Sequence, residues 1–264
     1  MATGTGTQND PYVVGTWNEL AQVFPTAQYI ELGNDIQAPD VLYETLESST
    51  LRSIDGKGYA IVGITVTDNM GCLSFRATMI LKNISFLNIN VSSNSSLLDF
   101  SGSSNTIDNV VISGYANCPY LIYSTILISS KSFGCNLHTG RGDFKLFNIT
   151  NNSSLGYSNI NIDYGTVVPT VDNVFTPNTL KIHNTLLKIN APSDNSINIA
   201  SLNYGKVTGH GKIKISTCQN ITVVENSITL DNTSSANCVS MPKSDMSIGN
   251  LYNLGFPATA SEVV

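Results

Sequence analysis

The segment ILKNISFLNI (80–89) lines up with TIDNVVISGY (106–115), and Asn83 then falls over Asn109 at a spacing of 26. TILISSKSFG (125–134) repeats the shape about 20 residues later. Further units follow as SNINIDY (158–164), LKIHNTLLKIN (180–190), SINIASLNY (196–204), GKIKIS (211–216) and NITVVENSITL (220–230). Within a unit the alternation changes phase. Ile84 and Phe86 share one parity, then Leu87, Ile89 and Val91 share the other. A chain that turns a corner between two short strands reads this way. Short strands without intervening helices, recurring at this interval, predict a β-solenoid in which each unit buries its apolar residues only against its neighbours. The competing reading is an antiparallel sandwich, which wants strands every 8 to 12 residues and two-residue hairpin turns. The hairpin dipeptide Asn-Gly is absent, and the solenoid is favoured.

One helix stands ahead of the repeats. Thr16 reads as an N-cap with Glu19 three residues on, a capping box. Trp17, Leu20, Ala21 and Phe24 then form one apolar face, and Pro25 ends the run. A helix over 16–24 is too short to stand alone and predicts a surface to cover, such as the open end of a stack. The next segment, YIELGNDI, passes into a Gly33-Asn34 turn. IDGKGYAIVGITV (54–66) then reads as an early coil whose turn runs from Asp55 to Gly58.

The combination DPYVVGTWNELAQVF, YIELGNDI and SIDGKGYAIVGI resembles the N-terminal cap and first coils of right-handed parallel β-helix proteins of the pectate-lyase-like type, in particular those of bacteriophage and prophage virions. The likeness covers about residues 8–66 in motif and the rest in pattern only. It implies an all-β, right-handed parallel β-helix (solenoid) with a short N-terminal capping helix. It also implies a trimer acting as a tailspike, fibre or capsid appendage. On this reading residues 1–28 are the N-terminal segment and cap, 29–238 the β-helix, and 239–264 a tail or docking arm.

Charge narrows the partners. Only 12% of residues are charged, against roughly 25% in an average globular protein, and Asn, Ser and Thr fill the polar positions instead. A net charge of -6 with 13 scattered Lys and Arg gives no basic stripe, so neither nucleic acid nor an anionic membrane is expected as a partner. The opening MATGTGTQNDPYVV has no signal-peptide pattern, and no eighteen apolar residues run together. Five widely spaced cysteines without a CxxC pair fit a reducing compartment and predict no zinc site. The expected location is the virion, after assembly in a bacterial cytoplasm. Sequons such as Asn83-Ile84-Ser85 arise by chance in so Asn-rich a chain.

No cofactor is expected, and no catalytic signature stands out. Asp172 and Asp194, 22 residues apart, are the candidates for a carboxylate pair on adjacent coils if the chain is an enzyme. Asp99 and Asp108 lie close in sequence and read as turn acids, as do Glu225 and Asp231. His138, His183 and His210 are scattered. The tripeptide in GRGD (140–143) reads as solvated loop charges rather than an adhesion motif. Asn at matched positions, Asn83 and Asn109 above all, is expected to hydrogen-bond along the stack. The sequence thus leaves three readings open. They are a structural or adhesive virion component binding other virion proteins and possibly a host glycan, a polysaccharide depolymerase of tailspike type, and a bacterial surface adhesin.

Overall fold

The computed structural model describes residues 1–242 apart from 43, 68–72, 93, 95, 103, 125–127, 131–132, 150–152, 168, 170–174, 177–179, 193–195, 226–227 and 231–237. Every pairing between its strands is parallel, and the chain winds as a β-solenoid. The main sheet has 15 strands, and its rungs stack in chain order. They are Tyr12–Val14, Tyr29–Leu32, Ser53–Asp55, Ile80–Val91, Asn105–Ala116, Phe133–His138, Ser153–Asp163, Leu180–Asn190 and Ser196–Glu225. A second sheet of 6 strands stacks Leu46–Ser48, Leu73–Phe75, Leu98–Phe100, Tyr120–Ser124, Lys145–Ile149 and Phe175–Thr176. The expected pairing of 80–89 with 106–115 is present, with Ile84 opposite Val110 and Phe86 opposite Ile112. Ile84 and Phe86 face inward and are fully buried.

Corners make this winding possible. Asn83 and Asn109 both sit in the left-handed region at φ 52, where Asn is tolerated better than most residues because its short polar side chain bonds locally. Asn109 Nδ2 donates to Asn83 Oδ1 at 3.1 Å, and Asn83 Nδ2 donates to Asp55 Oδ1 at 3.1 Å. A three-coil ladder of side chains therefore runs up one edge. A second step joins Asn161 Nδ2 to Asn136 Oδ1 at 2.7 Å. The other corner is at Asn88, φ 54, and here the sequence expectation needs correction. Leu87 is half-buried rather than core, because the bend takes both 87 and 88 before Ile89 turns inward again. The next coil makes the same bend with one residue fewer, so the register shifts between Ile112 and Gly114. Gly114, at φ 139, lies so close to the rung below that a Cβ would stand 2.3 Å from Ile89 O.

The interior is filled by side chains stacked coil on coil. Phe75 lies on Phe100 with ring centroids 4.9 Å apart and an interplanar angle of 19°. Phe24, at the end of the helix Trp17–Val23, continues the stack onto Phe75 at 5.6 Å. The helix thus caps one end as expected, with Leu20, Val23 and Phe24 buried. Thr16 Oγ1 accepts from Glu19 N at 3.2 Å. The Glu19 carboxylate reaches one residue further back than a standard capping box and accepts from Gly15 N at 2.8 Å. One further difference concerns 196–225, which runs as a single 30-residue strand where the sequence suggests three short units. Cys238–Pro242 pairs with Ile221–Glu225, so solenoid pairing continues past residue 238, while 243–264 lies outside the described residues.

Two substitutions separate corner conformation from ladder bonding. Asn109→Gly keeps the left-handed backbone and loses one side-chain hydrogen bond, for a cost of about 1 kcal/mol. Asn109→Ala loses the same bond and keeps a Cβ in that region without the local side-chain bonding that eases it for Asn, and costs roughly 1–2 kcal/mol more than glycine. Urea unfolding of the three proteins side by side is expected to give the order wild type, Gly, Ala. Phe75→Ala, which empties the centre of the aromatic stack, is expected to cost about 3–5 kcal/mol.

Candidate functional site

Outward positions of successive rungs line up as columns, because each coil repeats the register of the last. Tyr29, Ser53, Ile80 and Thr106 form one such column. Glu31, Asp55, Lys82 and Asp108 form the next. Together with Arg52 and Thr78 they line a groove of about 760 Å³ that crosses four coils, closed at the cap end by Gln8 and Pro11. Ile80 is 44% exposed on its floor. Tyr29 and Ile80 stand two coils apart, about 10 Å at the spacing of neighbouring strands. The groove offers a separated pair of apolar platforms with polar groups between.

Two of its three carboxylates, Glu31 and Asp55, are paired with lysines, and the third is Asp108. Lys57 Nζ lies 3.4 Å from Glu31 Oε1, and Lys82 Nζ lies 3.1 Å from Asp55 Oδ2. Asp55 Oδ1 accepts from Lys57 N at 2.9 Å as well as from Asn83. Burial works to raise the Asp55 pKa, but the hydrogen bonds from Lys57 N, Asn83 and Lys82 together outweigh it and hold the carboxyl below its ordinary range. A carboxylate held ionised in this way is a fixed acceptor rather than a proton donor. Asp55 was legible in the sequence only as part of a turn. Its second role, closing the Asn ladder beside the groove, depends on a neighbour 28 residues away.

The sequence candidates fare unevenly. Asp172 and Asp194 lie outside the described residues. Asp99 and Asp108 are corrected: both are in strands, Leu98–Phe100 and Asn105–Ala116, and these belong to different sheets, so the two acids do not form a pair. Arg141 and Asp143 close on each other through two hydrogen bonds, one of them Nη2 to Oδ2 at 2.9 Å. The two charges of the tripeptide pair with each other within the loop while both side chains stay partly exposed to solvent. His138 stacks on Tyr115 at 5.6 Å, with Nδ1 3.6 Å from Asp163 Oδ2. Asn83 is engaged on both ends of its amide, Nδ2 to Asp55 and Oδ1 from Asn109. Cys118 and Cys135 are free and buried, and burial pushes both thiols up to about 12, far from thiolate chemistry.

Among the described residues no group of three His, Cys, Asp or Glu side chains could hold a metal ion. No helix among them is long and apolar enough to cross a membrane. Comparison with protein-family models, with curated proteins and with solved structures finds no match in any of the three.

The Asp55 geometry carries a pH signature. Its folded pKa is lowered, so the stability it contributes is complete above the ordinary carboxylate range and is lost as the pH falls through the depressed folded value. Asp55→Asn is expected to lower stability at neutral pH and to flatten the acid limb of the stability profile. Thermal midpoints of both proteins from pH 7 down to pH 2 check this.

Proposed function

We propose that this chain is a structural and adhesive surface component of a bacteriophage virion, which uses the groove on its main sheet to hold a host-surface glycan without cleaving it. The observation that carries the reading is the state of the groove's acids. Glu31 and Asp55 are each paired with a lysine, and Asp55 is held ionised. Acid-catalysed glycoside cleavage wants one carboxyl group kept protonated beside an ionised partner; Glu31 and Asp55 do not supply it, and Asp108, the third acid of the groove, is separated from Asp55 by the rung that carries Lys82. What the groove supplies instead is a platform for sugar faces at Tyr29 and Ile80, with fixed donors and acceptors between them.

Placement on a phage particle rests on the resemblance of residues 8–66 to virion β-helices. The stacked, weakly charged solenoid is consistent with it. A rigid solenoid with few surface charges also suits side-by-side packing of like chains, and three copies around an axis is the proposed assembly. Of the docking arm proposed for this contact, 239–264, all but 239–242 falls outside the described residues.

Titration with host capsule, teichoic acid and cell-wall polysaccharides is the test. Binding without new reducing ends or unsaturated products is expected. Tyr29→Ala, which removes a stacking ring worth about 1 kcal/mol, is expected to weaken that binding roughly fivefold. Cleavage of any of these polymers would make the chain a depolymerase instead. Light scattering at micromolar concentration is expected to give the mass of three chains, and a monodisperse monomer would refute self-assembly.

A further inference from the structure

The second sheet has an outward column of its own, in which Glu47, Ser74, Asp99 and Tyr123 occupy equivalent positions on successive rungs. Strand alternation makes these outward residues, since Leu73, Phe75, Leu98 and Phe100 fill the core on either side of them. Ser74 is nevertheless only 3% exposed, and its Oγ has no hydrogen-bond partner. Asp99 Oδ1, on the adjoining rung, is likewise buried and without a partner. Two orphaned polar atoms side by side on an outer face are unusual, because each buried polar group left unpaired costs on the order of 1–3 kcal/mol.

The surroundings say what would satisfy them. Arg76 Nη2 bonds Glu47 Oε2 at 3.0 Å, so the one guanidinium beside the two carboxylates is already engaged. Among the described residues the cluster keeps one unbalanced negative charge, on Asp99. Tyr123 pairs with Asp99 across the rungs, and its ring lies 5.4 Å from that of Tyr120, tilted by 37°. A buried carboxylate oxygen lacking a donor, an unpartnered hydroxyl and two tyrosine rings match a group that brings several N–H donors and a positive charge.

We propose that the Ser74–Asp99–Tyr120–Tyr123 cluster on the second sheet is a binding site for a primary ammonium group, carried by an amino sugar or by a simple amine. This site is separate from the groove and does not depend on glycan binding there. The ammonium donates to Asp99 Oδ1 and Ser74 Oγ and lies against the tyrosine rings, while Arg76 stays with Glu47.

Proton linkage gives the site a second readout. Burial raises the Asp99 pKa and nearby Glu47 adds to this, while Arg76 opposes both. Tyr120, in the same cluster as Tyr123, has its pKa raised by burial, with Tyr123 and Asp99 adding to this, and keeps its proton. A bound ammonium favours the ionised form of Asp99, so affinity holds near neutral pH and falls as acid protonates the empty site.

The test titrates the full chain with D-glucosamine, propylamine and N-acetyl-D-glucosamine by calorimetry and tyrosine fluorescence at pH 7 and pH 4. Glucosamine and propylamine are expected to bind at pH 7, at least tenfold tighter than the acetylated sugar, and to weaken at pH 4. Glucosamine tighter than propylamine identifies an amino sugar as the source of the ammonium, and equal affinity identifies a simple amine. Asp99→Asn is expected to lose at least tenfold in affinity. Tyr120→Leu, at a less buried position, is expected to lose severalfold and serves should Asp99→Asn fail to fold. Failure of both amines to bind, equal binding of the acetylated sugar, or wild-type affinity in both variants would overturn the proposal. None of these outcomes bears on polysaccharide binding at the groove.

Discussion

Each coil of this protein can satisfy its backbone and bury its apolar row only against the coils above and below it. Ile80 N donates to Arg52 O at 2.9 Å, and Thr106 N donates to Met79 O at 2.9 Å, so the bonds holding the sheet together run along the stack. One such bond contributes about 1 kcal/mol net, and the sheet's strength comes from their number and from the side chains they bring into line. In-register stacking follows from that requirement. A slip of one residue would put Phe86 outside and the polar face within. The caps and corners serve the same condition. Phe24 closes the aromatic stack at its open end, and the left-handed asparagines let the strand bend without leaving register.

Much of this was legible because it is local or repeated. The 26-residue spacing of Asn83 and Asn109 named the ladder before any coordinate did, and the geometry places the two amides 3.1 Å apart. The Thr16 cap, the Glu19 partner and the apolar face of the helix were read from four or five neighbouring residues. The misreadings have a common cause. Leu87 looks like a core position by parity, and only the actual bend at Asn88 shows that a corner consumes two residues. The long strand 196–225 erases unit boundaries that Ser and Gly suggested, because pairing to the previous rung overrides local turn preference.

The groove was less legible than the fold. Its residues come from four coils and are separated in sequence by a variable count, since loops between rungs differ in length. Nothing in the chain marks Tyr29 and Ile80 as belonging together until the register puts Ser53 between them. Proximity in sequence misleads in the opposite direction. Asp99 and Asp108 are near neighbours along the chain, yet a corner sends them to different sheets. Asp99 keeps company instead with Glu47 and Tyr123, one coil or more away on either side.

The direction of the ladder bonds sets how this molecule bears force. A pull along the stack loads the bonds of one coil boundary nearly end-on, and they open a row at a time, as a zipper does. A pull across the stack, along the strands, loads a whole row in shear and must break it at once. The solenoid is therefore mechanically anisotropic, soft to peeling from an end and stiff to sliding between coils. At the N-terminal end, the first row to peel is Tyr12–Val14 on Tyr29–Leu32, and the chain between these strands carries the helix, followed by Phe24 seated on Phe75. There the resistance to tearing is shared between one short row of bonds and the fit of one aromatic ring.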